Sequence, residues 1–367
     1  MHLLSRDVSS RLRCQAISNQ RLMSKEFKKR MQLTGCHLIS LAIGVLWAGL
    51  LFRLYRKYAC IKQWLVPNWI HERIPTGGGV VYILFIIPYM LHDVVFDMLS
   101  HGSFDFFKTR TLLIQGLISV GVLIGWYDDV YGNRQVKSIR GHLQALWKRG
   151  EVTSGIMKLL TLPLIGALIA FVHAENVRQE SGWGMVLDLV KGAFLAGVLT
   201  HVFNLLDLRP LRAVKGCLLL LTATLLVGLG SGSIGASVKG AQMMSISSIA
   251  SMTSISSILS SPMTILSSPT TASTVTAASI MSETSFGVFL LVMSLFEARR
   301  KLIIGDAGAL LMGLWLTHVA LAWTPVFFQI LLIVILLPVI VYAEKYSLSR
   351  LIEKHPCLRA FDTWGVR

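Results

Sequence analysis

Two adjacent carboxylates, Asp128 and Asp129, close the stretch LIGWYDDVYG, which up to that point reads as membrane helix. An ionised side chain at bilayer depth costs at least about 2.5 kcal/mol, so the pair needs a cation, water or a chemical task beside it. Three further polar clusters stand at the ends of apolar runs. HERIPTGGGVVY sets His71, Glu72 and Arg73 before Pro75, Thr76 and glycines 77 to 79. Glycines at a helix start let backbone N–H groups approach a phosphate, or let helices pack closely. HVFNLLDLRPLRAVKG spaces His201, Asn204 and Asp207 at i, i+3 and i+6, so that each neighbours the next along a helix surface. EARRKLIIGDAGALLMG puts Asp306 between Gly305 and Gly308 where an apolar run begins, a position that also suits a helix cap. Three sets of carboxylates with several basic residues suit Mg²⁺ and a phosphorylated substrate, because Mg²⁺ keeps waters and takes few carboxylates plus phosphate oxygens.

These clusters share a site only if their elements end on the same membrane face. The chain is 53% hydrophobic and 15% charged, with a mean hydropathy of +0.62, too apolar for an ordinary soluble domain. Apolar runs at 36–54, 77–98, 111–126, 155–173, 184–205, 213–230, 275–296, 307–323 and 326–344 predict an all-α, polytopic helical membrane bundle of about nine spans. The formal charge of +16 is distributed over short loops rather than in a nucleic-acid-binding block. Alternate loops carry Arg53, Arg56, Lys57, Lys62 and Arg73; Arg134, Lys137, Arg140, Lys148 and Arg149; Arg209, Arg212 and Lys215; Arg299 to Lys301; and the basic residues of the tail. The positive-inside rule makes these loops and the C-terminus cytoplasmic, in a multi-pass plasma-membrane protein. All four polar clusters then face the cytoplasm.

The expected organisation is a basic segment at 1–35, a membrane domain in two parts at 36–230 and 275–345, an extracytoplasmic insertion at 231–274 and a cytoplasmic tail at 346–367. The insertion centres on SISSIASMTSISSILSS, which offers small hydroxyl side chains and few large groups to pack, and reads as solvated. The basic segment conflicts with the charge rule, since the topology places Arg6, Arg11, Arg13, Arg21 and Lys25 to Arg30 outside. Either the first apolar run does not cross simply, or the protein starts at Met23 or Met31, or the segment is an organellar transit peptide. The five cysteines are scattered, without metal-ligand spacing or a disulfide framework.

The ordered set Pro-Thr-x-Gly-Gly, Asp-Asp, Asn-Leu-x-Asp and Gly-Asp-x-Gly resembles the polyprenyl-phosphate N-acetylhexosamine-1-phosphate transferases, over about residues 36 to 345. The resemblance implies transfer of a sugar-1-phosphate from a UDP-N-acetylhexosamine to undecaprenyl phosphate, with release of UMP and Mg²⁺ as cofactor, at the start of a lipid-linked envelope glycan. It implies that Asp306 is the main metal ligand, that Asp128 is the candidate base and that Asp129 holds the metal or the acceptor. Asn204 and Asp207 would line the nucleotide and metal side, with Thr76 beside them and Arg73 as a phosphate clamp. Polyprenyl phosphate, a UDP-sugar and membrane lipids are the implied partners, without nucleic acid, and a homodimer is a possible assembly.

Where that family continues with Gly-x-Asp-Gly after Asn-Leu-x-Asp, this chain has Leu208, Arg209, Pro210 and Leu211. Arg209 and Arg212 then either bind the donor diphosphate or an acidic sugar substituent through their planar forks, or anchor the loop to lipid headgroups. His201 stands where relatives have another Asn, and Ala309 takes the usual Ser position. Two rivals use the same residues differently: a catalytically weakened relative that binds polyprenyl phosphate, and an ion-coupled secondary transporter. The transporter would show internal repeats and midplane charges, whereas the charges here lie at one face.

Overall fold

The computed structural model describes residues 41–68, 70–101, 106–132, 139–151, 153–174, 182–207, 209–231, 285–346 and 348–364. The basic segment expected at 1–35 and, Ser231 apart, the insertion expected at 231–274 lie outside the described residues. The chain divides into two units, Met1–Trp47 and Ala48–Arg367. In the first, the described residues 41–47 are helical and open α1, which runs over 41–61.

The second unit is built from helices. After α1 come α2 (Val81–His101), α3 (Phe106–Tyr131), α4 (Ile139–Arg149), α5 (Ser154–Ala174), α6 (Gly182–Leu206) and α7 (Arg212–Gly230). Then follow α8 (Ser285–Ala298), α9 (Gly305–Trp323), α10 (Val326–Lys345) and two short tail helices, α11 (Leu348–Lys354) and α12 (Pro356–Thr363). Among the described residues, six helices are long and apolar enough to cross a membrane: α5, α6, α7, α9 and most of α3 and α10. Two shorter apolar helices lie at Gly78–Leu91 and Ser285–Ala298. The protein is therefore a membrane-embedded helical bundle. Pro88, Pro163 and Pro338 sit inside α2, α5 and α10, as membrane helices tolerate where neighbours re-satisfy the freed backbone groups.

α9 is the axial helix. Of its apolar window 78% is buried, against 17% for α10, which lies at the periphery. It packs on α3, α6, α7 and α5, so whatever stands at its first turn is surrounded by the ends of those helices. The glycine run before α2 forms a 3₁₀ turn, Gly78–Val80, and packs against α9. A Cβ on Gly79 would collide with the backbone of Gly308 and Ala307, so of the two uses open to these glycines, close helix packing is the one this geometry employs. An aromatic cluster joins α1, α2 and α8, with Phe52 5.3 Å from Phe289 and Tyr82 5.2 Å from the same ring.

Between α1 and α2 lies a two-stranded ribbon that the apolar pattern did not lead one to expect. β1 (Leu65–Pro67) pairs antiparallel with β2 (Arg73–Pro75), Leu65 opposite Pro75. Its turn is closed by Asn68, whose Oδ1 accepts the N–H groups of Ile70 at 3.0 Å and Glu72 at 2.9 Å. The ribbon continues into backbone pairing with the segment before α9: Ile303 N–H donates to Pro75 O at 2.8 Å, and Gly78 N–H to Ile303 O at 3.1 Å. These bonds fix the entry to α2 against the entry to α9.

Candidate active site

The site begins with the unsatisfied N–H groups at the start of α9. A helix N-terminus leaves its first donors without intrahelical partners and carries partial positive charge. A carboxylate from another helix takes two of them. Asp129, near the end of α3, accepts Asp306 N–H on Oδ1 and Ala307 N–H on Oδ2, both at 3.0 Å. Thr76 Oγ1 adds a bond to Asp129 Oδ1 at 3.5 Å. Asp207, just past α6, lines the same cavity as Gly305 and Asp306. Burial first, then the neighbouring carboxylates of Glu297 and Asp306, push the Asp207 carboxyl well above the ordinary carboxylate range, while the Gly305 N–H opposes the shift. Gly305 has φ +70°, and a Cβ there would run into the Asp129 carboxylate. Only glycine lets the chain turn into α9 while Asp129 closes over its end.

With the backbone of α9 held, the Asp306 side chain is left for other work. Lys158, one turn into α5, forms ion pairs with both Asp306 and Asp128. The three charged side chains are between 12% and 23% exposed, so the cluster opens to water without being bathed in it. The Lys158 ammonium thus sits in a cation seat made by two carboxylates from α3 and α9. That donor set also fits Mg²⁺, which needs one or two carboxylates and leaves its remaining positions to water and phosphate oxygens. Among the described residues no three His, Cys, Asp or Glu side chains are grouped to form an all-protein metal cage.

Two cavities meet at this cluster. One, of about 640 Å³ and the more polar of the two, is bounded by Asn68, Thr76, Asp207, Arg209, Glu297 and Arg300 together with Asp128, His142 and Asp306, with Val66, Pro67, Ile74, Leu302 and Ile303 as its apolar wall. The other, of about 430 Å³, is walled by Leu159, Leu162, Pro163, Val198, Leu310 and Ile340, with Lys158, His201 and Asn204 at its polar end. Asp128, His142 and Asp306 line both.

Of the residues singled out from sequence, Thr76, Asp128, Asp129, Asp207, Arg209 and Asp306 come together around the polar cavity, and Asn204 lines the apolar one. Arg73 lies exposed on β2 and lines neither cavity. Arg212 is turned away: its guanidinium grips Asp362 of the tail, Nε to Oδ1 at 2.7 Å and Nη2 to Oδ2 at 2.8 Å. Three residues escaped the sequence reading. Lys158 had a usable signal, a lone cation inside the apolar run GIMKLLT, since an intramembrane charge marks a functional site by default. His142, bonded through Nδ1 to Thr153 Oγ1 at 2.8 Å, sits in a basic loop helix and carries no such mark. Glu297, 4% exposed, opens the EARRK stretch and reads there as part of a solvated turn. No protein-family model matches the chain, and no curated protein matches it either.

Proposed function

We propose that the protein transfers a sugar-1-phosphate from a UDP-N-acetylhexosamine to a polyprenyl phosphate such as undecaprenyl phosphate, with its site facing the cytoplasm of a plasma membrane. The observation that carries this reading is the meeting of a more polar and a more apolar cavity at Asp128, His142 and Asp306. A nucleotide-sugar needs a wet, polar pocket, and a prenyl chain needs an apolar groove among membrane helices; transfer between them needs the two to share a wall. The same proposal holds that the helices at 41–61, 78–101 and 285–298 complete nine crossings with the six described above, and that the Lys- and Arg-rich loops lie inside.

The acceptor phosphate enters from the apolar side, where Lys158 neutralises and orients it. Its oxygen forms a bond to the sugar-linked phosphorus of the donor as the bridging P–O bond breaks, and UMP carries away the bonding pair. Asp306 and Asp128 would hold Mg²⁺, with Asp207 behind them. Magnesium, when bound, neutralises the diphosphate and makes its phosphorus more electrophilic. Asp129 serves by keeping Asp306 in place through the first turn of α9. A strong general base is a minor need, because a phosphate monoester with a second pKa of about 6 is already largely ionised near neutrality. Asp128, paired with Lys158, is accordingly assigned to holding cations.

The test is purified protein in lipid with undecaprenyl phosphate, Mg²⁺ and a panel of UDP-sugars, scoring UMP and lipid-linked product. Transfer should require Mg²⁺, and Asp306→Asn should lower it by about 10²-fold or more while the protein still inserts. Full activity in Asp306→Asn, or transfer by no member of the panel, would overturn the assignment.

A further inference from the structure

The turn between Asp207 and α7 forms one wall of the polar cavity through Arg209 and Pro210. Its shape is unusual: Leu211 has φ +62°, left-handed backbone that a residue with a Cβ adopts only when its surroundings insist. Its surroundings do: Leu211 is buried, and the next residue, Arg212, is clamped by the tail. Arg212 and Asp362 meet fork to fork with both side chains 5% exposed, and Arg212 Nη1 also reaches Ser349 Oγ at 3.0 Å. One turn further along α7, Lys215 Nζ donates to the carbonyls of Phe361 at 2.7 Å and Asp362 at 2.8 Å, binding the last turn of α12 where a helix presents unsatisfied carbonyls. Arg209 adds an ion pair to Glu353 of α11.

We propose that Asp362 is a positioning residue for the donor pocket: by clamping Arg212 it holds the 209–212 turn in the left-handed shape that places Arg209 and Pro210 in the pocket wall. The proposal rests on the reading of that cavity as the donor site. The tail is then a brace for both basic residues of the DLRPLR stretch: Asp362 clamps Arg212, while Arg209 lines the pocket with its guanidinium paired to Glu353 and 3.5 Å from Asp362. Burial raises the Asp362 carboxyl, but the bonds from Arg212 and the charges of Arg212, Arg209 and Lys215 outweigh it and hold it below the ordinary range, so the brace is ionised near neutral pH.

The experiment compares the full chain with Asp362→Asn, with the exchanged pair Arg212→Asp plus Asp362→Arg, and with Arg359→Ala as an exposed tail control. Donor KM, acceptor KM, kcat, thermal stability and amide exchange across 207–212 are read in each. Asp362→Asn should raise donor KM roughly tenfold, as a displaced pocket wall does, with kcat and acceptor KM little changed and faster exchange at 209–212. The exchanged pair should recover much of both effects, and Arg359→Ala should show neither. An unchanged donor KM in an active Asp362→Asn enzyme overturns the proposal. So does a rise in activity, which would make the tail a plug, or a loss of stability and kcat with donor KM constant, which would make it merely structural. If the wild-type chain transfers nothing, the donor-site reading fails, and amide exchange alone decides the brace: unchanged exchange at 209–212 refutes it, faster exchange upholds it.

Discussion

Asp128 and Asp129 are chemically identical neighbours with different occupations. Asp129 spends its oxygens on the backbone of α9, while Asp128 meets the ammonium of Lys158. An ammonium between two carboxylates is stabilising as a set, yet removing one member of a buried pair leaves charge uncompensated, at about 3–5 kcal/mol in a fully buried case. Because these side chains keep some contact with water, Lys158→Met is expected to cost less than that range in stability, and to abolish transfer. It should also make the protein respond more strongly to Mg²⁺ than wild type does, since the cation then replaces the missing ammonium. Thermal unfolding with and without Mg²⁺ checks this; a variant with wild-type stability and an unaltered Mg²⁺ response would show that Asp128 and Asp306 do not form a shared cation seat.

At the scale of elements, the proposed reaction depends on the first turn of α9, and the neighbours of α9 hold that turn. A carboxylate cap at a helix N-terminus contributes about 1 kcal/mol, somewhat more when partly buried. Its larger effect here is geometric, because the cap and the Gly305 turn together set the direction of the Asp306 side chain. Gly305→Ala is expected to misdirect that side chain, since left-handed backbone costs a residue with a Cβ about 1–2 kcal/mol and the added methyl meets Asp129. Transfer should fall about as far as in Asp306→Asn, with expression and membrane insertion retained. Near-normal activity in Gly305→Ala would mean that Asp306 is not positioned through this turn.

On the scale of the whole molecule, the orientation proposed from the basic loops can be read from two exposed thiols, Cys60 at the end of α1 and Cys357 in α12. Both adjoin elements that bound or brace the polar cavity. In a chain with Cys14 and Cys36 replaced by serine, a membrane-impermeant maleimide should label both positions in inside-out vesicles and neither in right-side-out vesicles. Labelling with the opposite sidedness would turn the site away from the cytoplasm and remove access to nucleotide-sugars.

What the sequence determined by itself was the class of molecule and most of the cast. Long apolar runs and dispersed basic loops require a membrane bundle, because only closed backbone hydrogen bonding survives in lipid. The clusters at helix ends named Thr76, Asp128, Asp129, Asp207 and Asp306 because charge beside an apolar run is costly enough to stand out. Tertiary structure decided which of them meet and what each does. Asp128 and Asp129 differ only in what approaches them, an ammonium from α5 or the backbone of α9. Arg212, readable from sequence as a phosphate clamp or a headgroup anchor, is claimed by Asp362, 150 residues later in the chain. Periodicity and composition report local environment along one element, whereas pairing between charges depends on distances set by the packing of several helices, and those distances exist only once the chain has folded.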